Sequence, residues 1–118
     1  MLTIRKEQVE VLESVQKDLF VDKMEDHLNS VFSKEIKDKG IKSEDIRPLI
    51  EAAIGTAQKY DVLNEDDIQL FIECIPLLGP EFDTTNKLPF INDTLNRTDI
   101  SGEEKMEMIN DFLTFELS

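Results

Sequence analysis

The sequence predicts an all-α protein, a single compact domain over residues 1–118 with about five helices and a long N-terminal helix. Three observations support this fold class. Apolar residues recur at steps of three and four along most of the chain, which is the period of an amphipathic helix. Residues that start helices, and glycines that end them, lie between these apolar stripes. No segment alternates apolar and polar residues over a useful length, so no strand is expected.

The first helix is predicted to occupy the first 39 residues, from a cap at Thr3 to a stop at Gly40. Its apolar stripe consists of Val9, Leu12, Val15, Leu19, Phe20, Met24, Leu28, Val31, Phe32 and Ile36. A helix of this length approaches ~50 Å, which is long for a small domain. A bend or break near residues 20–23, where Val21 departs from the stripe, is therefore the alternative to a continuous helix.

The second and third helices have clear start signals. Ser43 is the expected N-cap of the second helix, in which Gly55 would allow another helix to approach closely. Asn64 is the expected N-cap of the third helix, because three acidic residues follow it at the positive end of the helix dipole. Gly79 is expected to end that helix.

The last two helices follow a short loop. Phe82, in this loop, is expected to point into the core. Pro89 at a first-turn position opens a short fourth helix that runs to about Asn96. The capping box Ser101–Glu104 opens the fifth helix. The apolar stripe of the fifth helix consists of Met106, Ile109, Phe112 and Leu113.

The negative charge is concentrated in the second half of the chain. Residues 1–60 carry 10 Lys and Arg against 12 Asp and Glu, a net of −2, whereas residues 61–118 carry 3 against 14, a net of −11; together they give the −13 of the whole chain. Phosphate recognition requires Lys and Arg, so nucleic acid and an anionic membrane surface are not expected as partners. The asymmetry instead favours a basic protein partner.

No combination of residues indicates an enzyme. His27 is the only histidine and Cys74 the only cysteine, and each is expected to have a structural role rather than to form a nucleophile–base pair. An EF-hand register that begins at Asp61 places Leu63 and Ile72 at ligand positions, so the calcium-loop pattern fails. We therefore expect a non-enzymatic protein without a cofactor or a metal.

Two acidic segments are the candidate partner-binding site. Its residues are Glu65, Asp66, Asp67, Glu81, Phe82 and Asp83. Their carboxylates would attract a basic protein surface. Each segment also has a local explanation, because acids stabilise the positive end of a helix and Phe82 could simply fill the core after a helix stop.

The expected location is the cytoplasm. No apolar run approaches the ~18 residues of a membrane span. The N-terminal residues turn polar at once and lack the apolar core of a signal peptide. One cysteine cannot form an intrachain disulfide framework.

Three stretches of the chain resemble a group of small bacterial proteins encoded beside type VI secretion genes for spike proteins (VgrG, PAAR) and toxic effectors. The first is Leu2–Gln8 with the helix that contains Asp26–Leu28. The second is Tyr60–Ile68, and the third is Leu78–Asp83 followed by Leu88–Phe90. Phe90 stands where a Trp is expected, which keeps an aromatic anchor. The resemblance implies an accessory role rather than a reaction.

Four hypotheses follow. The first is an adaptor or chaperone that binds an effector or a spike component. The second is an immunity protein, whose carboxylates replace the phosphates that a basic toxin normally binds. The third, from another class, is a carboxylate-metal enzyme that uses Asp61, Glu65, Asp66 and Asp67. In addition, a seam along Val11, Val15 and Phe20 is compatible with a homodimer.

Overall fold

All regular secondary structure in the described part of the chain is helical. The computed structural model describes residues 14–85 and 87–117. The helices are α1 (Ser14–Val31), α2 (Ser33–Asp38), α3 (Ser43–Lys59), α4 (Glu65–Leu78), α5 (Pro89–Leu95) and α6 (Gly102–Leu117). They pack into one globule around a shared apolar core. The predicted all-α class is confirmed, with six helices in these ranges instead of about five.

The predicted first helix is divided at Phe32. Phe32 has φ −114° and ψ 23°, so its ψ leaves the helical region and the chain turns between α1 and α2. No Pro or Gly marks this point in the sequence. The alternative of a break near residues 20–23 is not found, because α1 is continuous there. The end of α2 is as predicted: Gly40 adopts φ 68°, and Ile41 N–H donates to the Ile36 carbonyl at 3.0 Å. The expected cap at Thr3 lies outside the described residues.

The buried face of α1 differs from the predicted stripe. Phe20, Val21, Met24 and Leu28 are buried, so Val21 belongs to the stripe and Phe20 is not on an exposed seam. The side chains of Leu19 and Val31, which the stripe placed inside, are 65% and 59% exposed. Phe20, Met24 and Leu28 are therefore buried as predicted, whereas Val21 takes a place on the buried face that Leu19 and Val31 do not.

Helix α3 starts and packs differently from expectation. Lys42 is its N-cap without a capping side chain, and Ser43 is its first helical residue. Gly55 faces open space, so it does not mediate a close helix approach. The helix ends in a Schellman turn, in which Val62 N–H donates to the Ala57 carbonyl at 2.9 Å. Asp61 takes the left-handed position of this turn with φ 66°, where Gly is the usual residue.

Helix α4 is the centre of the fold, because α1, α2, α3 and α6 all pack against it. Its buried residues are Asp67, Ile68, Phe71, Ile72, Cys74, Ile75 and Pro76. Its predicted boundaries are confirmed: Asn64 caps it through a 3.0 Å hydrogen bond from Asp67 N–H, and Gly79 ends it with φ 103°. Within the described ranges, no helix has the length and apolarity needed to cross a membrane.

Helix α6 begins where it touches the turn after α3. An ideal Cβ on Gly102 would lie 1.8 Å from the Asp61 carbonyl oxygen, so only glycine fits there. The predicted capping box is confirmed, since Glu104 N–H donates to Ser101 Oγ at 3.1 Å and Ser101 N–H donates to Glu104 Oε1 at 3.4 Å. Helix α5, with Pro89 at its start as predicted, packs on α6.

Candidate functional site

The acidic cluster at the start of α4 divides into surface and buried members. Glu65 and Asp66 are exposed. Asp67 is buried, and its carboxylate accepts a 2.6 Å hydrogen bond from Asn64 Nδ2. Asp67 therefore closes a reciprocal cap at the start of the helix, while Glu65 and Asp66 remain available to a partner.

The second acidic segment is also divided. The side chain of Phe82 is 2% exposed, and its ring centroid lies 4.9 Å from that of Phe71. Phe82 is thus a core residue, and its inclusion in the partner-binding set is corrected. Glu81 is exposed, and Asp83 is half-buried and accepts a 3.1 Å hydrogen bond from the Tyr60 hydroxyl.

Tyr60 connects this loop to the rest of the protein. Its ring packs near Phe71, its hydroxyl binds Asp83, and its main-chain carbonyl accepts a 2.9 Å hydrogen bond from Lys105 Nζ. Partial burial of the phenol, together with the neighbouring Asp83 carboxylate, raises the pKa of Tyr60 above its ordinary value. Tyr60 therefore holds the loop after α4 through its side chain and the start of α6 through its main chain.

Two of the three cations in residues 61–118, Arg97 and Lys105, have partners within the protein. The Lys105 side chain is buried, with the residue only 3% exposed. Arg97 forms a two-pronged pair with Asp99, with Nε–Oδ1 at 2.9 Å and Nη2–Oδ2 at 2.6 Å, and this pair lowers the pKa of Asp99. Lys87 is exposed. The sequence does not signal the burial of Lys105, because its acceptor is a main-chain carbonyl 45 residues earlier.

The lone histidine joins α1 to α4. His27 Nε2 lies 2.6 Å from Glu73 Oε2, and both side chains are partly shielded from solvent. Gln69 Nε2 donates to the same carboxylate oxygen at 3.4 Å. This pair was not anticipated, and no local pattern could indicate it, because its two members are 46 residues apart.

Cys74 has the properties of a packing residue. It is fully buried, and its Sγ donates to the Leu70 carbonyl at 3.4 Å. Burial, with a smaller contribution from the Glu73 charge, raises the pKa of the Cys74 thiol to about 12. The thiolate that a nucleophile requires is therefore strongly disfavoured at neutral pH.

An open cleft of about 160 Å³ lies between α4 and α6. Its lining is mainly apolar and includes Leu70, Cys74, Leu77, Ile109 and Leu113. Glu73, the partner of His27, is its charged residue. Pockets for drug-sized ligands are usually ~300–1,000 Å³, so this cleft fits one or two side chains better than a small molecule.

A second apolar area lies on the other side of α6. The rings of Phe90 and Phe112 stack with centroids 4.9 Å apart and planes 20° apart. Phe115, one turn along the same helix, is 81% exposed. Phe90 is therefore partly exposed at the surface of α5, where it packs on Phe112.

Comparisons with protein families, curated proteins and solved structures find no match. Among the described residues, no group of three or more His, Cys, Asp or Glu side chains is arranged to hold a metal ion. The four carboxylates of the metal-enzyme hypothesis, from Asp61 to Asp67, thus do not form such a group.

Proposed function

We propose that the protein is a non-enzymatic accessory protein, an adaptor or chaperone, for a type VI secretion effector or spike component. Its acidic second half docks a basic region of that partner. The observation that carries this proposal is that two of the three cations in residues 61–118 are buried or paired within the protein. With Lys105 buried and Arg97 paired to Asp99, residues 61–118 have little positive charge at the surface with which to oppose their exposed acids.

The docking surface comprises the exposed acids at the start of α4 and in the following loop. These are Glu65, Asp66 and Glu81, with the half-buried Asp83 beside them. A surface of one sign raises the association rate with an oppositely charged partner, and ions in solution screen that attraction. The resemblance supplies the type VI context, and the cytoplasm of the producing cell is the proposed place of binding.

The alternative is an immunity protein that blocks the active site of a basic toxin. The same charge distribution favours this alternative, because surface carboxylates can occupy the positions of substrate phosphates. The two functions require similar surfaces and differ in the consequence of binding.

Charge reversal tests the docking surface. The double variant Glu65→Lys/Asp66→Lys is expected to weaken binding to the co-expressed product of a neighbouring gene by tenfold or more, chiefly through slower association. The matched control is Glu44→Lys/Asp45→Lys, because those exposed acids lie in the first turn of α3, one position further into the helix, and carry the same charge. Equal weakening by both pairs would show that only total charge matters.

Co-expression separates the two functions. For an immunity protein, the adjacent toxin expressed alone kills the cells and this chain rescues them. For an adaptor or chaperone, rescue is absent, and the solubility or secretion of the effector depends on this chain. Binding that does not weaken as salt is raised would contradict both, since each relies on exposed carboxylates.

A further inference from the structure

The surface of α4 that lies between α1 and α6 includes the α4–α6 cleft, and it is called the trough below. Helices α1 and α6 both pack against α4, and in the described part of the chain they do not pack against each other. Glu73 lines the cleft on α4 and binds His27 on α1. Residues spaced by four are neighbours along a helix, so Val31, which is largely exposed, follows His27 on the α1 side of the trough. Apolar surface is thus present on both sides of α4.

One row of α4 side chains connects the cleft to the exposed acids at the start of the helix. Glu65, Gln69, Glu73 and Leu77 are spaced by four along α4 and form one ridge, along which Gln69 donates to Glu73. The ridge therefore runs from an exposed acid at the helix start, past a carboxylate, to an apolar side chain in the cleft. An occupant that matches it carries apolar side chains at one end and cations toward the other.

The occupant that fits this trough is a helix. The trough is formed by helices and offers no sheet edge, so an extended peptide would leave main-chain groups without partners in it, whereas a helix satisfies its own. A second copy of this chain is a poorer match, because its net charge of −13 opposes association with the acidic ridge. The charges instead favour a basic occupant.

We infer that the trough between α1 and α6 binds a basic amphipathic helix of the partner, with an apolar side chain in the α4–α6 cleft and basic residues toward Glu65 and Asp66. This inference rests on the proposed function, since it names the partner element that the acidic surface receives. It also assigns a role to Glu73, whose carboxylate is held by His27 and Gln69 and lines the cleft that receives the apolar side chain.

A designed peptide tests this inference without knowledge of the natural partner. The probe is a fluorescent Leu/Lys amphipathic helix of ~14 residues, about four turns. Its controls are a scrambled peptide of the same composition and a Leu/Glu peptide with the same apolar spacing. We expect the Leu/Lys helix to bind at least about tenfold more tightly than either control, and fluorescence anisotropy measures these affinities. We also expect the peptide to gain helicity on binding, which circular dichroism measures.

Two leucines of this chain provide a matched pair of variants. Leu77→Asp places a charge in the cleft, whereas Leu63→Asp makes the same change at an exposed position of the α3–α4 turn. Both add one negative charge, which by itself attracts the Leu/Lys peptide. Leu77→Asp is nevertheless expected to weaken binding by at least about tenfold, and Leu63→Asp to leave it within about twofold.

Amide chemical shifts of the unmodified protein provide a second readout that does not depend on a variant folding. Addition of the Leu/Lys peptide is expected to shift residues 69–77 of α4 and 106–114 of α6. Equal affinity for a control peptide, equal effects of the two Leu→Asp variants, or shifts confined to the Phe90 surface would overturn the inference. Dimerisation of the protein that Leu77→Asp abolishes would overturn it in favour of a second copy. None of these results determines the outcome of the charge-reversal experiment. The trough can therefore be disproved while the acidic docking surface stands, and the docking surface can be disproved by its own experiment.

Discussion

The ammonium group of Lys105 donates a 2.9 Å hydrogen bond to the main-chain carbonyl of Tyr60, 45 residues earlier in the chain. This contact joins the first turns of α6 to the end of α3. It lies beside the close approach of Gly102 to the Asp61 carbonyl. The two contacts together fasten the last helix to the α3–α4 turn, and they lead to the first two predictions.

Replacement of Lys105 by methionine is expected to lower the free energy of unfolding by about 1–3 kcal/mol, because the Tyr60 carbonyl loses its side-chain donor. Methionine keeps the length and apolar stem of the buried side chain. Chemical denaturation measures the change, with Lys23→Met on the exposed face of α1 as the control. An equal or greater stability of Lys105→Met would show that burial of the ammonium outweighs its hydrogen bond.

Two glycine-to-alanine substitutions are expected to have opposite signs. Gly102→Ala forces the Asp61 main chain away from α6, and overpacking of this kind costs about 1–3 kcal/mol or more. Gly55→Ala adds a methyl group in open space within a helix and is expected to stabilise the protein by about 0.5–1 kcal/mol. Thermal or chemical unfolding measures both. Destabilisation by Gly55→Ala would contradict the exposed position of that residue.

The single tyrosine is a reporter of the loop after α4. The chain has one tyrosine and no tryptophan, so the ultraviolet band of tyrosinate follows Tyr60 alone. We expect Tyr60 to titrate above its ordinary pKa of about 10. Because the folded-state pKa is the higher one, the associated stability is present below the unfolded-state pKa and is lost as pH rises through the folded-state value.

Asp83→Asn separates the two causes of this shift. The substitution removes the carboxylate charge and leaves the phenol partly buried, so the pKa of Tyr60 is expected to fall only part of the way to its ordinary value. Glu81→Gln, one position from the core residue Phe82, is the control for charge in the same loop. A wild-type titration at the ordinary pKa would contradict the observed hydrogen bond.

The Cys74 thiol is expected to react only when α4 opens. Since its pKa is about 12 and its side chain is buried, modification by a thiol reagent at neutral pH should be at least about 100-fold slower than in the denatured chain. Mass spectrometry measures the rate, with the protein in denaturant as the control. Rapid modification of the native protein would show that the cleft exposes the sulfur.

Local signals in the sequence were sufficient for the helix class and for several boundaries. The caps at Asn64 and Ser101, the stops at Gly40 and Gly79, and the inward position of Phe82 all depend on neighbouring residues, and all are confirmed.

The predictions that failed, and the contacts that were missed, depend mainly on packing between residues far apart in the chain. Which side of α1 is buried depends on its packing against α3 and α4, so periodicity alone misplaced Leu19, Val21 and Val31. The break at Phe32 has no Pro or Gly to mark it. The His27–Glu73 pair and the fit of Gly102 against Asp61 connect residues far apart in sequence, and no motif of adjacent residues encodes them.

The attachment of α6 to the α3–α4 turn has a consequence for recognition. Glu103 and Glu104 follow Gly102 directly, and Glu65 and Asp66 lie a few residues beyond Asp61. Because Gly102 and Lys105 attach the start of α6 to the α3–α4 turn, we expect the acids at the starts of α4 and α6 to keep a fixed arrangement. A partner that meets both helix starts would therefore lose little conformational entropy in ordering them, and more of its contact energy would appear as affinity.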